Sequence, residues 1–225
     1  MKNLPPLIIY ALCYCMMFIL TWITKRNKSN RLFDAKGTMA VNTGNLFGLH
    51  LAGIGWLALV PITFSNQSFE SILSGNGLPS DFYVLALLFL IVAIGFTGFS
   101  TGRQIQISRQ NIPGLTKAFL FHYFLVRLLF LCAYELFFRG LLLLECTQRW
   151  GIFGAVVLTT LLTVLIHVFT NKKEMWACIP FGIVLSFCCI AFNGVWPAIL
   201  LHITLSLAYE IPPIYYFVNQ LKLVK

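Results

Sequence analysis

Seven long apolar runs divide the sequence, and each is long enough to cross a lipid bilayer as a helix. They lie at residues 7–24, 46–64, 82–100, 118–144, 151–170, 175–192 and 196–218. A transmembrane helix needs about 20 mainly apolar residues, because the hydrocarbon core is about 30 Å thick. The pattern predicts an all-α protein, a polytopic membrane bundle of about seven transmembrane helices.

Polar side chains gather at helical spacing in three of the last four runs. They are Arg127, Tyr134, Glu135 and Arg139 in the first, Thr160, Thr163 and His167 in the second, and His202, Ser206, Tyr209 and Glu210 in the third. Each set covers an arc of at most about 140° on its helix. Because hydrocarbon offers no hydrogen-bonding partners, such stripes must face one another or a water-filled cavity. The sequence therefore predicts one polar interior site shared by three helices.

The depth of these stripes agrees for two of the three helices. A tight hairpin at Trp150–Gly151 would bring Tyr134 and His167 level, since each lies 16 residues from that turn. His202 lies closer to the start of its own run, about 10 Å from His167 in depth. Three alternatives remain open: a short preceding helix, a turn at 193–197 that dips into the membrane, or two histidines that do not meet.

Composition and charge place the chain among membrane proteins. Of its 225 residues 59% are hydrophobic and 10% are charged, against about 25% charged in soluble domains. The net charge of +9 would suggest nucleic acid in a soluble protein, but twelve basic residues follow alternate runs and only Lys2 and Arg149 occupy the other loops. The positive-inside rule then predicts an outer N-terminus and a cytoplasmic C-terminus. Membrane lipid, and no nucleic acid, is the partner that this charge indicates.

The remaining candidates for chemistry carry weaker signals. The seven cysteines lie within or at the ends of the runs, and their spacing gives neither a disulfide framework nor a zinc knuckle. His50 and His122 have no polar stripe of their own, so we interpret both as packing or helix-contact residues. We interpret residues 1–117 as three N-terminal transmembrane helices and residues 118–225 as a four-helix core with the polar stripes, within one integral membrane unit.

Three motifs in order resemble the CAAX-protease and bacteriocin-processing (CPBP, Abi) family of intramembrane endopeptidases, which includes the type II prenyl-protein proteases. They are Tyr134-Glu-Leu-Phe-Phe-Arg-Gly140, His167 on the next run, and Trp196-Pro-Ala-Ile-Leu-Leu-His-Ile-Thr-Leu-Ser206. The resemblance covers about 118–210, and the family motifs are Glu-Glu-x-x-x-Arg, Phe-x-x-x-His and His-x-x-x-Asn. It implies peptide-bond hydrolysis without a metal: the first glutamate and the motif-two histidine activate a water, and the motif-three residues hold the oxyanion.

The sequence departs from the family at three motif positions. Tyr134 stands in place of the first glutamate, Thr163 in place of the phenylalanine, and Ser206 in place of the asparagine. Carried over by this resemblance, the candidate catalytic residues are Tyr134, Glu135, Arg139, His167, His202 and Ser206, with no cofactor. Tyrosine, with a pKa of about 10, is a poor base at neutral pH, so Tyr134 can only donate or orient. Two alternatives remain for the base: His167 alone, or Glu135 if it turns about 100° around the helix and is not held by Arg139. The departures together predict activity that is weakened or lost.

Four functions follow, in descending order of support. The first is an intramembrane endopeptidase in a bacterial cytoplasmic membrane, acting on a leader, a C-terminal tail or a maturing bacteriocin. The second is a non-catalytic family member, an immunity protein or a scaffold that binds a peptide or membrane-protein partner. The third is a zinc site of Glu135, His167 and His202, since two histidines and one carboxylate suffice for catalytic zinc. The fourth is a transporter, for which no inverted repeat is present.

Overall fold

Every described secondary-structure element is a helix. The computed structural model describes residues 5–26, 32, 43–65, 68–74, 80–105, 116–169 and 172–222. The helices are α1 (Pro6–Arg26), α2 (Thr43–Phe64), the short α3 (Phe69–Ser74), α4 (Asp81–Arg103), a continuous helical stretch from Lys117 to His167, α7 (Lys172–Ala191) and α8 (Trp196–Lys222). The all-α prediction is confirmed.

The stretch from Lys117 to His167 divides at Gly151 into two helices, α5 (117–150) and α6 (151–167). Gly151 has φ 72° and ψ 173°, a backbone conformation that glycine adopts without steric cost. Six helices are long and apolar enough to cross a membrane when the whole stretch counts as one. The break at Gly151 gives the seventh long helix, so the predicted number holds.

The two long helices α2 and α5 each contain a π-helical segment. In α2 this is Gly55–Leu59, and in α5 it is Leu136–Leu142, which begins directly after Glu135. A π-helical turn is wider than an α-helical one and is frequent at functional sites. The segment in α5 carries Arg139, so the angles calculated for an ideal α-helix do not hold across the first motif.

Glycines let α4 pack against α8 at backbone distance. A Cβ atom built on Gly102 would lie 2.4 Å from the carbonyl oxygen of Tyr209, and one on Gly98 would lie 3.0 Å from that of Leu205. Small residues at this spacing allow membrane helices to approach closely. The outer surface of α4 is apolar and exposed, as expected of a helix that faces lipid.

The short helix α3 covers the turn between α7 and α8. The Val195 N–H donates to the Ile72 carbonyl at 3.0 Å, and both side chains are buried. A Cβ atom on Gly140 of α5 would lie 2.7 Å from Ile72, so α3 also packs closely on the first motif. Val195, at the end of this turn, is therefore held against α3 inside the bundle.

The predicted orientation in the membrane remains a prediction. Much of the charge on which it depends lies outside the described residues: Lys2, Lys28, Arg31, Lys36, Arg109 and Lys225.

Candidate active site

Tyr134 lies in the polar site, where two histidines contact its ring. Its side chain is buried, and its ring centroid lies 5.8 Å from that of His202 and 6.4 Å from that of His167. Both imidazoles meet the tyrosine edge to face. The two histidines, from α6 and α8, therefore converge on one side chain of α5.

Glu135 links α5 to α8 and to its own helix. Its carboxylate is fully buried, and Oε1 accepts from His202 Nδ1 at 2.5 Å, while Oε2 lies 3.6 Å from Arg139 Nε. Arg139 also donates from a terminal nitrogen to Thr163 Oγ1 at 2.9 Å. A Cβ atom on Gly182 of α7 would lie 2.9 Å from the Arg139 guanidinium. Glu135 and Arg139 thus form a scaffold that joins four helices.

The tautomer of His167 is set by its own helix. Its Nδ1 lies 2.9 Å from the Thr163 carbonyl oxygen, and since a carbonyl only accepts, Nδ1 carries the proton. In the neutral ring Nε2 then carries the lone pair, which is the form that a general base requires.

Four buried polar atoms of this site make no direct hydrogen bond within the described part of the chain. They are the Tyr134 hydroxyl, Glu135 Oε2, Arg139 Nε and Thr160 Oγ1. The Tyr134 hydroxyl lies near Thr163 without hydrogen-bond geometry. Buried polar groups without a protein partner are commonly satisfied by internal water. The site therefore has the polar lining that a hydrolytic water needs.

Comparison with known proteins identifies this part of the chain. Residues 114–208 match the family model described as Rce1-like, type II CAAX prenyl endopeptidase. Residues 114–208 belong to that family. The Rce1-like segment contains all six candidate catalytic residues, and it agrees with the resemblance found in the sequence. No curated protein and no solved structure gives a significant match.

Five of the six candidates in the Rce1-like segment come together, and Ser206 does not join them. The Ser206 hydroxyl donates to Glu210 Oε1 at 3.0 Å, one turn further along α8 than the active site. In this conformation it does not replace the asparagine amide expected at that motif position. Tyr134, by contrast, contacts both His167 and His202.

Three helices do share one polar site, but not all of the predicted polar residues belong to it: Arg127, Ser206 and Glu210 form a second polar cluster. We call it the second cluster; it consists of His50, Tyr123, Arg127, Ser206 and Glu210. The Tyr123 hydroxyl donates to Glu210 Oε2 at 2.6 Å, Arg127 Nε donates to Glu210 Oε1 at 3.3 Å, and an Arg127 terminal nitrogen lies 3.2 Å from His50 Nε2. Helical angles place polar residues on a face but do not say which neighbour that face meets.

The sequence did not predict that His50 and Tyr123 belong to a polar cluster. His50 does contact another helix, as expected, but through a hydrogen bond with Arg127 rather than by packing alone. Tyr123 was missed altogether, although it lies one turn before Arg127 on the same face of α5, which is the signal that could have found it.

The zinc alternative has no supporting geometry. Among the described residues, no group of three His, Cys, Asp or Glu side chains is arranged to hold a metal ion. Glu135 instead directs its carboxylate at His202 and Arg139, and both histidines contact the Tyr134 ring.

Proposed function

We propose that this protein is an intramembrane endopeptidase that hydrolyses a peptide bond in a membrane-associated peptide or protein. The observation that supports this most directly is the convergence of His167 and His202 on Tyr134, inside a segment of an endopeptidase family. The three side chains come from three helices, and they adjoin buried polar atoms that can bind water.

His167 is the general base of the proposed reaction. Its Nε2 lone pair takes a proton from the attacking water, and the Thr163 carbonyl stabilises the resulting imidazolium through Nδ1. The proton then passes to the leaving amine, and the products are a free carboxylate and a free amine.

His202 and Tyr134 hold the developing oxyanion. When both ring nitrogens of His202 carry protons, Nδ1 donates to Glu135 and Nε2 donates to the substrate oxygen. The Tyr134 hydroxyl is a second donor. Glu135 and Arg139 keep His202 in place and do not themselves react.

The proposed substrate is a leader, a C-terminal tail or a bacteriocin precursor that reaches the site from the lipid. We place the protein as a multi-pass component of a bacterial cytoplasmic membrane, with residues 1–117 as three helices that support the four-helix core of 118–225. Its turnover should be below that of a family member with a carboxylate at position 134, because general acid–base catalysis contributes about 10²–10⁴-fold.

The test is cleavage of membrane-anchored tail peptides, with and without a prenyl group, by protein purified in lipid nanodiscs. We expect His167→Ala to lower turnover at least about 10²-fold. His122→Ala is the matched control: it removes an exposed histidine of α5 that bonds only to its own helix at Ala118, and turnover should not change. Equal turnover in the wild type and in His167→Ala would contradict the proposed base.

One observation favours a second candidate function, a non-catalytic member that acts in bacteriocin immunity or as a membrane scaffold. Tyr134 packs in an aromatic row, 4.6 Å from Phe138 and 6.1 Å from Phe130 between ring centroids, as a core residue would. This function predicts no turnover by the wild type, and a cellular phenotype that survives His167→Ala. Loss of that phenotype in a stably expressed His167→Ala variant would rule it out.

A further inference from the structure

Two buried charged pairs join α5 to α8 with the same spacing on both helices. Glu135 pairs with His202, and Arg127 pairs with Glu210. The two α5 residues are eight positions apart, and so are the two α8 residues. The residue that comes first on α5 pairs with the one that comes last on α8, so a single register of two antiparallel helices fits both pairs. The two pairs lie about 12 Å apart along the helix axis.

Neighbouring side chains supply hydrogen-bond partners to the Arg127–Glu210 pair. Glu210 accepts from Tyr123, Arg127 and Ser206, so each carboxylate oxygen has at least one donor. Arginine has only donors, so His50 Nε2 accepts from Arg127 and brings α2 into the network. Buried ion pairs add little net stability, and their best-attested use is to specify one arrangement over others.

Any slip of α8 by one helical turn would break both pairs. A slip of four residues in one direction would set Ala198 opposite Glu135. A slip in the other direction would set Ile214 opposite Arg127. Either change separates the buried Arg127 from the buried Glu210 and removes His202 from Glu135, and breaking a buried ion pair is strongly unfavourable. The observed register is therefore the one in which every charge of the two pairs has a partner.

We propose that Arg127, Glu210 and His50 form a register lock that positions His202 against Glu135. They are positioning residues, since they act through one another: Arg127 bonds Glu210 of α8 and His50 of α2 within the second cluster. The functional meaning of this lock rests on the proposed peptidase reaction, because it is His202 that would contact the substrate. The lock itself is a property of the helix pair and can be measured without any turnover.

The experiment follows the Nδ1 proton of His202 by NMR, in detergent-solubilised protein with ¹⁵N-labelled histidine. A short hydrogen bond to a carboxylate gives a proton signal far downfield, and His202→Gln assigns it by its loss. We expect the signal to be lost in Arg127→Ala and Glu210→Ala. Glu210→Gln keeps an acceptor for Tyr123 and Ser206. In this variant the His202 Nδ1 signal should remain, with a change in its chemical shift.

Glu145→Ala is the matched control, since Glu145 pairs with Arg149 on the same helix α5 but is not part of either interhelical pair. The His202 Nδ1 proton signal of Glu145→Ala should equal that of the wild type. An unchanged signal in folded Arg127→Ala and in Glu210→Gln would overturn the register lock, as would an equal loss in Glu145→Ala. Should Glu210→Ala fail to fold, Glu210→Gln decides the outcome. A wild-type protein without peptidase activity would refute the proposed function and leave this test intact.

Discussion

At the scale of single residues, Tyr134 decides what the site can do. It occupies the position of a carboxylate, and its buried hydroxyl makes no direct hydrogen bond. A tyrosine there can donate to an oxyanion but cannot accept a proton at neutral pH. In the proposed reaction the base is therefore His167, whose tautomer the Thr163 carbonyl sets.

Tyr134→Phe separates the catalytic role of the hydroxyl from the packing of the ring. The unfolding midpoint should stay the same or rise slightly, because the change removes a buried hydroxyl without a partner. Turnover should fall about 10²–10³-fold, the usual effect of losing one oxyanion donor. Thermal unfolding measures the midpoint and peptide cleavage measures the turnover, both on the same preparation. Unchanged turnover would show that the hydroxyl has no catalytic role.

Tyr134→Glu restores the carboxylate of the family motif beside Glu135. We expect turnover to rise by about 10²-fold as the new carboxylate assists His167. Stability should decrease, because two adjacent buried carboxylates repel and one must hold a proton. The measurement is cleavage of the same peptide, and Tyr134→Gln is the control that keeps the size without the charge. An equal rise in Tyr134→Gln would exclude base catalysis as the cause.

At the scale of elements, the helix pattern was predictable and the contacts between helices were not. Apolar run length found the seven long helices, because burial in hydrocarbon imposes it directly. It did not find α3, which is one short, partly polar helix at residues 69–74. Nor did it show that Arg127 and Glu210 belong to a cluster apart from Tyr134, since that depends on which helices are neighbours. The π-helical segment at Leu136–Leu142 also altered the angles near Arg139.

The close packing of α4 on α8 predicts a strong effect of a single methyl group. Gly102→Ala places a Cβ atom against the backbone of Tyr209, so the helices must separate, at a cost of about 1–3 kcal/mol. Gly48→Ala is the control, because a Cβ atom there meets nothing within 4 Å. Thermal unfolding in detergent should show a lower midpoint for Gly102→Ala only. An equal midpoint in both variants would contradict the backbone contact.

At the scale of the whole molecule, the distribution of charge predicts how the bundle sits in the membrane. By the positive-inside rule, the alternating basic loops predict that the turn near Arg149 lies outside and the turn near Lys173 lies in the cytoplasm. In intact cells, a membrane-impermeant thiol reagent should label Arg149→Cys, while Lys173→Cys should react only after the membrane is opened. Labelling of the unsubstituted protein measures the background from its native cysteines. The reverse labelling pattern would invert the orientation.

The hydrogen bond between Val195 and Ile72 limits how freely this protein can be divided or recombined. Ile72 precedes the segment of 114–208 in the chain, yet it bonds Val195, one residue before the helix that carries His202. A fragment with every candidate residue would still lack this support, and also His50. Grafting the segment onto the N-terminal helices of a relative would therefore succeed only if the donor supplied an equivalent of α3. Recombination and insertion experiments should treat residues 68–74 as part of the catalytic unit.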